Sequence, residues 1–100
     1  MNKYLPIGSV VLLKNATKRL MIVSIGLQDL GSGVIYDYGA VLYPEGYVGP
    51  DAILMFNNSD VAKVYFPGYD DDERRQFLSQ LPDFSREQAE QNSQAYYGQE

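Results

Sequence analysis

Ser9-Val10-Val11-Leu12-Leu13-Lys14, the polar break Asn15-Ala16-Thr17-Lys18, and Arg19-Leu20-Met21-Ile22-Val23-Ser24-Ile25 decide the fold. Two short β-branched runs on either side of a polar turn read as a hairpin. Both runs are apolar at almost every position, the pattern of strands covered on two faces or curled into a small barrel. A buried helix is a poor alternative at this length and degree of β-branching.

Working outward, Asp29 to Gly33 is a loop by its glycines and polar residues, and Val34 to Tyr43 resumes as a third strand. Gly39 inside that strand suggests a bulge or bend. Pro44-Glu45-Gly46 and Gly49-Pro50-Asp51 are turn signals. Ala52 to Phe56 reads as a fourth strand and Ala62 to Phe66 as a fifth, with Asn57 to Asp60 between them able to make a single helical turn. Pro67-Gly68 closes the sheet, and Asp70-Asp71-Asp72-Glu73 opens a helix carrying Phe77, Leu78 and Leu81 that Pro82 stops. Ser85 with Gln88 is a capping-box pair, and Phe84 and Ala89 suit a hydrophobic staple, so a second, mostly polar helix is expected over 86–96. The expected fold class is α+β: a small antiparallel five-stranded sheet or partly open barrel followed by one or two C-terminal helices. Residues 1–81 form a single α+β domain in this reading, and 82–100 a polar helix or flexible tail.

Composition narrows the function classes. With 45% hydrophobic residues, nine tyrosines and four phenylalanines in 100 residues, the chain has material for one core. Lys14, Lys18 and Arg19 interrupt the apolar runs, leaving no stretch of the roughly 18 residues that a spanning helix needs. No signal-peptide pattern is visible, and a cysteine-free chain of this size points to the cytoplasm rather than to a disulfide-stabilised secreted protein. The net charge of −5 is uneven: residues 1–36 carry four cations against Asp29, or +3, and the remainder −8. Four scattered cations make a thin nucleic-acid face, so a protein partner is favoured over DNA or RNA.

Catalytic equipment is missing. Without Cys and His there are no thiolate or imidazole nucleophiles, bases or metal ligands. Ser9, Ser24, Ser32 and Ser59 lie outside any G-x-S-x-G elbow, and Gly31-Ser32-Gly33 lacks the remaining parts of a phosphate loop. The acids Asp70 to Glu73 invite a metal-site reading, but successive helical positions diverge, and acids in a first turn complement the helix dipole. The expectation is a protein that is not an enzyme and has no cofactor, metal or catalytic residue. Binding residues are sought instead among aromatic and apolar side chains: of the tyrosines Tyr36, Tyr38, Tyr43, Tyr47, Tyr65 and Tyr69 concentrated in the middle of the chain, Tyr36, Tyr38, Tyr43 and Tyr47 are singled out, with Phe77 and Leu81 on the helix. Tyr36 and Tyr38 share one strand face by parity. Amphipathic tyrosine suits an interface and equally suits an ordinary sheet position with its hydroxyl in water.

Several stretches also carry a family likeness. Leu5-Pro6-Ile7-Gly8-Ser9 continuing to Lys14, Lys18-Arg19-Leu20-Met21-Ile22, Tyr36-Asp37-Tyr38, Tyr43-Pro44-Glu45-Gly46, Phe56-Asn57 and Phe66-Pro67-Gly68-Tyr69 with the acidic helix start resemble a family of small uncharacterised Gram-positive proteins. Members tend to be encoded beside type VII secretion LXG toxins. The likeness runs from about residue 4 to Leu81, and departs at Asn58-Ser59, where a more acidic pair is expected. It implies a cytosolic chaperone or targeting factor that holds the helical N-terminal domain of a secreted LXG toxin, without membrane insertion. An immunity protein that neutralises a toxin domain, and a small-barrel module that binds an extended peptide along a strand edge, remain alternatives.

Overall fold

A computed structural model describes residues 4–81. Five strands, β1 (Val10–Leu13), β2 (Leu20–Gln28), β3 (Ile35–Leu42), β4 (Leu54–Phe56) and β5 (Val61–Phe66), precede one helix, α1 (Asp72–Ser79). The sheet is antiparallel in the order β4-β3-β2-β1-β5 and does not close on itself. The expected second helix over 86–96 lies outside the described residues.

The β1–β2 hairpin forms where the sequence placed it, with Asn15 taking the positive φ of 64° that the turn requires. Two element boundaries differ from expectation. β2 continues to Gln28 because Val34 and Ile35 pair with its far end across the Asp29–Gly33 loop. β4 is short because Pro50–Ala52 form a 3-10 turn, with Pro50 at its start. The irregularity expected at Gly39 sits on the partner strand: the register shifts between Ile22 and Ser24, leaving Val23 as the extra residue. Gly39 accommodates it, since a Cβ there would lie 2.6 Å from the Leu27 side chain and 3.3 Å from Ser24.

The connection from β4 to β5 dictates the overall shape. In a flat sheet these two end strands would be four spacings apart, roughly 19 Å at about 4.8 Å each. The link is only Asn57–Asp60, three residues of it in a 3-10 turn. At about 2 Å per 3-10 residue and about 3.4 Å per extended one, it spans at most about 14 Å. The sheet is therefore coiled into an open barrel whose two edges approach without pairing.

The interior of this coil is the core: Tyr4, Val11, Leu20, Ile22, Tyr38, Ala40, Phe56 and Leu78, with Leu5, Leu13, Ile25, Leu42, Val61 and Leu81 packed around them. Leu78 is the single buried residue of α1, so the helix plugs the coil through one side chain and leaves the rest of its surface outside.

Candidate functional site

α1 is placed by its own start. Asp71 caps it, its Oδ1 accepting from the Arg74 amide at 2.9 Å, and Asp72 and Glu73 follow in the first turn. Asp70 is paired with Arg74 at 2.8 Å and Arg75 at 3.3 Å, and Asp72 with Arg75 at 2.6 Å. The Arg74 hydrogen bond, reinforced by the Arg75 charge, holds the Asp70 carboxyl below its usual range. Asp70, Asp71 and Asp72 are thus each engaged by a side chain or amide of Arg74 or Arg75. Arg74 also donates to the Tyr4 carbonyl oxygen, tying the helix to the start of the fold.

Two turns build the wall facing α1. The Gly68 amide donates to the Oγ of the buried Ser9 at 2.9 Å, and Gly68 lies so close to the other turn that a Cβ would stand 2.1 Å from the Ile7 carbonyl oxygen. This contact holds Ile7-Gly8 and Gly68-Tyr69 side by side. Ile7 (54% exposed) and Tyr69 (79% exposed) project beside Phe77 (51% exposed). Together with Ile25 and Leu78 they line an open groove of about 540 Å³, rimmed by Asp71, Glu73 and Arg74. An apolar floor with charges confined to the rim suits the apolar ridge of a partner helix.

The residues singled out from the sequence are dispersed. Phe77 lines the groove. Leu81 is half-buried against the core behind it. Tyr38 is wholly buried, its ring edge-on to Tyr4 (centroids 6.2 Å apart) and tilted against Phe56. Its hydroxyl accepts from the Leu5 amide at 2.7 Å and donates to Asn58 Oδ1. Burial, opposed in part by the Leu5 hydrogen bond, pushes the Tyr38 hydroxyl up to about 12. The buried Asp37 carboxylate accepts from the Asn58 amide, and the Asp37 amide donates to Asn57 Oδ1, both at 2.9 Å. Tyr36-Asp37-Tyr38 and Asn57-Asn58 therefore interlock β3 with the β4–β5 link. Tyr36 is half-buried opposite Leu27.

Tyr43 and Tyr47 are exposed, and neither lines the groove. Tyr43, which precedes Pro44 through a cis peptide, lines a separate cleft of about 360 Å³ with Thr17, Lys18 and Arg19. There Lys18 pairs with Glu45 at 2.7 Å, and its hydrogen bond keeps the Glu45 carboxyl low. Sequence reasoning missed Ile7 and noted Tyr69 only as one of six clustered tyrosines, because both come from turns. Their signal was the glycine next to each, Gly8 and Gly68, marking two places where backbones meet closely.

Compared with known proteins, residues 4–77 match a family described as Domain of unknown function (DUF4176). Comparison with curated proteins and with solved structures gives no match.

Proposed function

The chain belongs to that family of unknown function, and from this footing we propose that it is a non-catalytic accessory protein that holds a helical segment of a protein partner in the groove between α1 and the Ile7 and Tyr69 turns. The groove carries this reading: Phe77 and Tyr69 are large aromatic side chains left outside the core beside Ile7, while Leu78 is the one helix residue buried in the core. Exposed aromatic anchors gathered in one groove are the usual centres of binding energy. The partner we assign is the helical N-terminal domain of an LXG-type toxin, held in the cytoplasm before type VII secretion. That finer assignment comes from the sequence resemblance alone.

The test is co-purification of the tagged protein from its native cell with mass spectrometry of what stays bound at moderate salt. Recovery of a neighbouring LXG toxin, lost when its N-terminal helical domain is deleted, is the expected outcome. Phe77→Asp should cut that recovery at least tenfold while leaving the fold intact, because Phe77 is half outside the core. Retention through the toxin's C-terminal domain would instead make this an immunity protein.

A further inference from the structure

β5 ends the sheet, with β1 on one side and, among the described residues, no strand on the other. Its outer row of N–H and C=O groups is open along six residues, twice the length of the opposite edge strand β4. Ala62 through Phe66 are all exposed, including Val64, Tyr65 and Phe66. A long, apolar, unpaired edge of this kind is a template for another strand.

The charges around it are specific. Leu13 pairs with Val61 on the core side, and the register irregularity that leaves Ala62 as an extra residue turns the next pair, Leu12 and Lys63, outward; Arg19, next to the core residue Leu20, faces outward too. Both cations converge on one ring: Arg19 Cζ lies 4.9 Å and Lys63 Nζ 4.6 Å from the Tyr65 centroid. Among the described residues neither cation pairs with a carboxylate, whereas Lys18, Arg74 and Arg75 all do. In a chain of net charge −5, the outer face of the open edge is a cationic island.

We propose that the β5 edge is a second docking site, apart from the groove, which takes an extended acidic segment of another protein as an added antiparallel or parallel strand. The backbone edge demands an extended polypeptide, whose own N–H and C=O groups match its spacing. The Arg19 and Lys63 pair selects glutamate or aspartate at the positions facing outward. A second copy of this chain is a poor occupant, because pairing two β5 edges would set the Arg19 and Lys63 cations of both copies beside each other on one face.

The experiment uses the full chain with two capped probe peptides, four repeats of Thr-Glu and four repeats of Thr-Lys, followed by fluorescence anisotropy and amide hydrogen exchange. The Thr-Glu peptide should bind, slow exchange within residues 62–66, and weaken about tenfold or more with Arg19→Glu or Lys63→Glu. The double charge reversal should switch preference to the Thr-Lys peptide, and Phe77→Asp should leave binding unchanged. Failure of the Thr-Glu peptide to bind, binding indifferent to the charge reversals, or protection falling outside β5 would overturn the proposal. Concentration-dependent dimerisation through the edge would overturn it too. So would binding seen only after Asp83, Glu87 and Glu90 are changed to amides, which would make this chain's own acidic terminus the occupant.

Discussion

Tyr38 shows how a single side chain organises the interior. Its ring fills the coil while its hydroxyl spans the Leu5 amide and Asn58, so three separate stretches of chain meet at one oxygen. The hydroxyl holds its proton to about pH 12 in the folded protein, against about 10 when unfolded. Below pH 10 both states are protonated and its contribution is fully present. Between 10 and 12 the unfolded state loses a proton that the folded state keeps, so stability falls as pH rises. Urea titrations across this window should show the decline in the native sequence. Tyr38→Phe should be less stable at neutral pH by about 1 to 3 kcal/mol, since it removes the acceptor of the Leu5 amide and the donor to Asn58 Oδ1, and should show a shallower loss from pH 10 to 12. Parity placed Tyr36 and Tyr38 on one face from sequence. It could not tell the inside of the coil from the outside, because tyrosine serves both and the hydrogen-bond partners lie 20 and 33 residues away.

At the scale of elements, α1 is a short helix anchored by a cap, one buried leucine and the Arg74 link to Tyr4. Asp71→Ala removes the acceptor for the Arg74 amide and should cost about 1 kcal/mol. Because Asp71, Glu73, Arg74 and Phe77 share the groove, the same change should speed amide exchange across 72–79 more than in the strands. Equal acceleration everywhere would mean that the helix and sheet open only together. The helix and all five strands were legible because each announces itself locally, in β-branched runs, turn residues and a run of acids. The groove was half legible. Phe77 stood out on its helix, but the wall opposite depends on Ser9 reaching Gly68 across 59 residues, and no local pattern encodes that contact.

For the molecule as a whole, coiling brings β4 and β5 near each other without sealing the sheet, so the fold keeps an edge that a closed barrel would lack. Lys63 is the one charge in the middle of that edge, and Lys63→Val should turn Ala-Lys-Val-Tyr-Phe into a continuous apolar strand. Sedimentation at increasing concentration should then reveal stronger self-association than the native sequence shows. A variant that associates no more than the native chain would show that the charge on Lys63 does not restrain edge-to-edge pairing.

The Ser9 to Gly68 hydrogen bond also sets a timetable for the newborn chain. Translation at roughly 5 to 20 residues per second delivers Gly68 about 3 to 12 seconds after Ser9. For most of that interval, once Gln28 has been added, β1 has β2 to pair with but waits for β5, leaving Val10 to Leu13 with one uncovered side. The last strand to be made is thus the one that shields the first.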